Sequence, residues 1–445
     1  MVAISEKSLN IVDMDLGISA SSELDVDFNR NHQNLDLCVD PTPEGHEALV
    51  TRLSSSVDPC ERTFAAMSLG YLDDPKVAVP ALEMAILTPN ENIFVLEASL
   101  RSIANSGEAA KHSAHSVARL MNHDSAIVRV AASKALSAMN IDPELALVTL
   151  GSRLTDPSLG VRKEVAKAVV NLPEEQLTQL VPKAIHLLEI GEGDKGLVVD
   201  LFSIIERGGK GFAESSFAAR ERLKDSEPEV RLAAAKALAK LGNHAEVACP
   251  DLLKISTNPL EQRSLRKASI ECVRQHGYFD PEHLMDLGRV VEEEILENIP
   301  TKIKEALNLK RDVIELLGEY GPKAVKVAPS LRDALQSGEI VLIVAAAETL
   351  SKIEAFEILI DALNSTDILV MQAIADAIKS LVHKLRPSKR AKLVALLKLK
   401  LGWIKEPTLI DSIMALLQSL EKCEEAEVII NDVRQTVLDN NINWA

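Results

Sequence analysis

The sequence predicts an all-α fold, an α-solenoid of about ten to eleven stacked helical pairs, and three observations carry that prediction. Apolar residues recur at helical spacing from about residue 57 onward, the pattern returns at a nearly fixed step, and alanine, leucine and valine do the packing. Aromatic residues make up only 3% of the 445, too few for stacking platforms or aromatic ligand cages. A chain of this length is long for one compact core, so it must divide into domains or grow by repetition.

The repeat is plainest in "DSAIVRVAASKAL" at 124–136 and "PEVRLAAAKAL" at 228–238, each with one arginine among small apolar residues. Taking Val128 as the reference, equivalent positions fall at Glu61, Val95, Val161, Leu197, Val230, Leu265, Leu309, Leu342, Val370 and Leu409. The steps between neighbours are 34, 33, 33, 36, 33, 35, 44, 33, 28 and 39 residues. Such a step holds two helices of about 10–15 residues with their turns, the unit of an α-solenoid.

In chain order, residues 1–45 carry nine acidic side chains against Lys7 and Arg30 and show no sustained period, which predicts a largely disordered acidic segment. Residues 46–277 hold the regular pairs. The step of 44 residues marks 278–308 as irregular, either an inserted helix or a joint, and divergent pairs fill 309–445. Pro80, Pro182 and Pro250 each lie 15 residues before their reference position, and Pro329 lies 13 before. A proline at a fixed place in the first helix is expected to remove a hydrogen bond and bend that helix.

The run D-x-x-x-V-R-x-x-A-A-x-A-L after a proline-bearing first helix resembles the HEAT repeat, especially the short bacterial type of phycobilisome lyase subunits. The likeness covers about 57–277 clearly and 309–420 more loosely. It implies a right-handed superhelix whose second helices line the concave face. For function it implies a range of roles: scaffold, transport receptor, lyase or, in a few cases, metal enzyme.

Arginine follows the reference position at Arg62, Arg129, Arg162, Arg231 and Arg266, with Lys310 in the same place later. At 100° per residue it lies at the edge of the apolar stripe, so its stem can pack while its head reaches a neighbour. Asp58, Asp124, Asp156 and Asp225 precede these helices, where a carboxylate can cap amides or pair with an arginine. The resemblance implies that such pairs form a ladder between adjacent repeats.

A second row, six residues after the reference, points away from the apolar stripe. It reads Met67, Arg101, Lys134, Lys167, Ser203, Lys236, Glu271, Glu315, Glu348 and Asp376, basic first and acidic later. One reading is a charge-polarised groove that orients a partner protein, Arg101, Lys134, Lys167 and Lys236 meeting its acidic part and Glu271, Glu315, Glu348 and Asp376 its basic part. The other is a solvated helix face. The stretch 383–405 adds a basic block with Lys384, Arg386, Lys389, Arg390 and Lys392, a candidate for a phosphate, an anionic surface or the chain's own acidic segment.

Chemistry has little foothold. No HExxH, GxSxG or paired zinc-ligand pattern is present, and "ERGGKGF" at 206–212 lacks the spacing of a phosphate loop. The five cysteines form no CxxC pair and read as reduced thiols, with Cys249 and Cys272 as core packing. Neither a cofactor, a metal nor a small-molecule substrate is indicated. A formal charge of -17 argues against nucleic acid as a partner. The N-terminus lacks the pattern of a secretory signal and no stretch is long and apolar enough to span a membrane, so a cytoplasmic chain is expected. The sequence therefore points to a non-enzymatic scaffold that binds another protein; the alternative is a bilin lyase or chaperone acting on a chromophore-bearing protein.

Overall fold

In the computed structural model, which describes residues 42–421 except 73, 364–366, 380, 386 and 403–406, every regular element is helical. The acidic stretch 1–41, Cys38 and Cys423 lie outside the described residues. The chain forms two compact units, one ending at Leu187 and the next beginning at Leu188. No described helix is long and apolar enough to cross a membrane.

The first unit is built from helix pairs: α1 (Pro43–Ser55) with α2 (Pro59–Leu69), α3 (Pro75–Leu87) with α4 (Ile93–Ser106), α5 (Ala114–Arg119) with α6 (Ala126–Ala138), and α7 (Pro143–Thr149) with α8 (Leu159–Val169). The unit ends within the last turn of helix α9 (Glu174–Glu189). The second helices α2, α4, α6 and α8 pack side by side into one layer. Helix α1 begins inside the segment that composition assigned to disorder. Thr42 caps it by accepting from the Gly45 amide at 3.2 Å, and Pro43 suits a first turn, where no amide partner is lost.

The second unit opens with α10 (Lys195–Gly208), followed by α11 (Ala213–Arg222) with α12 (Pro228–Lys240), and α13 (Cys249–Thr257) with α14 (Arg263–Gln275). Next come α15 (Leu284–Glu292) with α16 (Pro300–Glu319), α17 (Ala328–Leu335) with α18 (Ile340–Lys352), α19 (Phe356–Ala362) with α20 (Ile368–Lys379), and α21 (Pro387–Leu401) with α22 (Pro407–Glu421). Again the second helices, α10, α12, α14, α16, α18, α20 and α22, form a continuous layer. Gly242 and Gly321, at φ 65° and 58°, end α12 and α16 in the left-handed conformation that favours glycine.

The reference positions from Val95 to Leu409 are all buried, which accounts for the period: each supplies the contact between neighbouring second helices. Glu61 departs from the pattern. It is exposed at the start of α2 and accepts from the Ser56 hydroxyl at 2.7 Å.

Only two of the four prolines act inside a helix. Pro80 and Pro182 lie within α3 and α9, but Pro250 and Pro329 occupy the first turns of α13 and α17. There each follows a seven-residue 3₁₀ segment, Gly242–Ala248 or Gly321–Val327. The expected bend is thus a break, since a first-turn proline starts the α-helix instead of kinking it. The long step between Leu265 and Leu309 is taken up by the stretch 293–299 and by α16, which is 20 residues long. Before it, Phe279 meets Tyr320 edge-on at 4.9 Å, with the Lys323 ammonium 5.2 Å from the Phe279 ring centre.

Candidate protein-interaction surface

The repeated arginines are fastened at two points. Nη1 of Arg62, Arg129, Arg162 and Arg231 donates to two carbonyls of the turn just before its own helix, as Arg129 does to His123 and Asp124 at 2.9 and 2.8 Å. The rest of the guanidinium reaches a carboxylate of the following repeat: Arg62 to Glu91 at 2.6 Å, Arg129 to Asp156 at 2.8 Å, Arg231 to Glu261 at 2.6 Å and Arg266 to Glu293 at 2.7 Å. One planar fork thereby closes a turn and joins two repeats. Lys310 keeps only the first half, donating to the carbonyls of Val291 and Glu293. Its burial lowers the ammonium's pKa, a tendency that Glu293 opposes.

Of the turn aspartates, Asp156 serves the ladder directly: it receives Arg129 and also accepts from the Ser158 amide at 2.9 Å. Asp58 and Asp225 cap local amides instead, of Cys60 and Glu227, while Asp124 offers its backbone carbonyl to Arg129. Glu91, Glu261 and Glu293 are ladder members that residue spacing did not reveal.

In the first unit, Arg101, Lys134 and Lys167 are all exposed, on α4, α6 and α8, and Met67 is half-buried on α2. Arg101 pairs with Glu97 at 2.7 Å and Lys167 with Glu164 at 3.5 Å, whereas Lys134 has no ion pair among the described residues. In the second unit, Lys236, Glu271, Glu348 and Asp376 are exposed, and Ser203 and Glu315 are half-buried. Glu315 is matched internally: Arg274 and Arg311 approach it at 3.2 and 3.5 Å, within a network that also ties Lys267 and Arg311 to Asp312. Glu271 accepts from Gln275 at 2.9 Å. Glu348 and Asp376 make no ion pair among the described residues.

A neighbouring row went unnoticed in the sequence. The residue just before the reference is an exposed apolar one at Phe94, Ile127, Val341 and Leu369. It lies seven residues before the charged row, on the same side of each helix. The signal was readable: large apolar residues interrupt an otherwise polar face only near the two ends of the array, where Gly160, Gly196, Glu229, Ser264 and Asn308 hold the position in between.

The basic block is only partly described. Lys384 is paired with Glu354 at 2.8 Å and Arg390 donates to the His383 carbonyl, while Arg386 and the side chains of Lys389 and Lys392 lie outside the described residues. Cys249 and Cys272 are buried, and the coupling between the two thiols lowers the pKa of Cys249 and pushes that of Cys272 up; Cys60 is exposed. Of the glycines of 206–212, Gly208 ends α10, and Gly209 and Gly211 lie in the turn between α10 and α11. Among the described residues no group of three or more His, Cys, Asp or Glu side chains converges as metal ligands would.

Comparison with known proteins agrees with this geometry. The HEAT repeat model matches residues 219–245, the whole of α12 with the end of α11 before it. A structure from work on a phosphorylation switch controlling the interaction between cadherin and β-catenin superposes with a TM-score of 0.51 at 13% identity, covering 89% of this chain and 99% of that one. A crystal structure of Uso1-2 superposes with a TM-score of 0.57 at 11% identity, covering 90% of this chain and 89% of that one. The fold is a HEAT/armadillo-like helical repeat. No curated protein matches the chain in sequence. The narrower likeness to phycobilisome lyases finds no support in these matches, and at such identities the superpositions speak for the fold alone.

Proposed function

We propose that the protein is a non-enzymatic scaffold that holds another protein against the second-helix faces of its units. The observation that carries this reading is the pairing of exposed apolar residues with exposed charge on those faces: Phe94 and Ile127 beside Arg101 and Lys134, Val341 and Leu369 beside Glu348 and Asp376. Apolar contact supplies affinity, while the charges set register and steer encounter. A partner suited to both would offer acidic residues to Arg101, Lys134 and Lys167 on the first unit and, on the second, acidic residues to Lys236 and a basic stretch to the carboxylates. Helical repeats of this kind commonly mediate protein–protein contact, and the cadherin–β-catenin work concerns such an interaction.

The test is affinity capture from native lysate with the wild-type chain and with Arg101→Glu/Lys134→Glu/Lys167→Glu. A stoichiometric protein recovered by the wild type and lost by the variant, with the melting temperature unchanged, is the expected result. Equal recovery by both chains would refute the reading.

A further inference from the structure

In the second unit the first five residues of α18 and the first two of α20 expose five aliphatic side chains, Ile340, Val341, Val344, Ile368 and Leu369, each between 43% and 56% accessible. The two helices pack side by side, so these residues form one apolar band across their N-terminal ends. Acids flank it on both edges. Glu339 and Asp367 stand at the helix starts, and Glu348 and Asp376 lie seven residues beyond Val341 and Leu369, two turns along the same face. Lys352 and Lys379 follow only in the last turns.

We propose that this band is the docking site for a cationic amphipathic segment of a partner protein, one that lays an apolar stripe along it with Lys or Arg on either side. The inference deepens the scaffold reading and rests on it. Charge complementarity selects the occupant. An aliphatic strip about one helix wide, bounded by carboxylates on both edges, fits a helix with apolar residues at i, i+3/4 and i+7 and basic flanks. The chain's own acidic stretch 1–41 has the wrong sign. Its own basic helix α21 already buries Leu393, Val394 and Leu397.

Fluorescence anisotropy with the full-length chain tests this, using a labelled Leu/Lys amphipathic peptide of about 18 residues, roughly five turns, and its Leu/Glu counterpart. Three variants are compared: Val341→Ser/Val344→Ser/Leu369→Ser removes the band, Glu348→Lys/Asp376→Lys reverses its edge, and Glu214→Lys/Glu282→Lys makes the same charge change elsewhere. The first two should each weaken the Leu/Lys peptide by about tenfold or more, with the third close to wild type and the Leu/Glu peptide bound poorly throughout. Equal loss in the third variant would mean attraction to bulk negative charge, and no loss in the first would mean that the band is not used; either overturns the proposal. The scaffold reading would survive that failure if the captured partner still responded to Arg101→Glu/Lys134→Glu/Lys167→Glu.

Discussion

Arg129 and Asp156 show what a single ladder rung contributes. The Asp156 side chain is fully buried, and the Arg129 guanidinium grips it with both Nε and Nη2. Removing one partner of such a pair leaves an uncompensated buried charge, so Arg129→Met should cost about 3–5 kcal/mol in urea unfolding, and Arg129→Met/Asp156→Asn should recover part of the loss. His276 makes a different prediction. Both ring nitrogens face carbonyls, Nδ1 that of Cys272 at 2.7 Å and Nε2 that of Gly242, and only the imidazolium can donate to both. Burial lowers its pKa, but these carbonyls together with the nearby Cys249 and Glu246 outweigh burial and the pKa is raised. A base with a raised native pKa gives stability that is complete below its unfolded value and lost as pH rises through the native one. The wild-type urea midpoint should therefore fall as pH rises above about 6.5, and His276→Gln should flatten that part of the profile. The arginines themselves were legible in the sequence, because they recur at a fixed offset from a buried position. Of their carboxylate partners only Asp156 was, as a turn aspartate; Glu91, Glu261 and Glu293 were not, since the partners sit 27 to 30 residues on, in turns of unequal length.

At the scale of helices, close approach between second helices depends on small residues. Gly70, just past the end of α2, faces Ser102 of α4, whose hydroxyl donates to the Ala66 carbonyl at 2.8 Å. A Cβ on Gly70 would fall 2.9 Å from the Ser102 Cα, too near for a side-chain shift to relieve. The same contact recurs in α16 and α18: Thr349 donates to the Ile314 carbonyl at 3.0 Å, and Gly318 lies beneath it. Gly70→Ala should destabilise the first unit by about 1–3 kcal/mol, measured as a shift in its urea midpoint, because overpacking forces the helices apart. Helix pairs were readable from the 33-residue rhythm, yet the first helices were read less well than the second. Second helices are constrained by apolar contacts on both neighbours, whereas first helices tolerate 3₁₀ segments such as Gly242–Ala248 that leave no periodic mark.

Within each of the two units that make up the molecule, the repeat leaves one face of the second helices free of the packing it imposes elsewhere, and there the residues differ between the units. The charged row was visible as a column in the sequence, but its strength was not. Glu315 looked equivalent to Glu348 until Arg274 and Arg311 were seen beside it. The apolar row escaped notice because an exposed Phe94 or Leu369 looks like core when only periodicity is considered. A partner held on these faces, as proposed, should respond to both sets of charges. Its affinity, measured by titration calorimetry for the wild type, Arg101→Glu/Lys134→Glu/Lys167→Glu and Glu348→Lys/Asp376→Lys, should fall on the order of tenfold or more in each variant with an unchanged melting temperature; wild-type affinity in both would refute the proposed function.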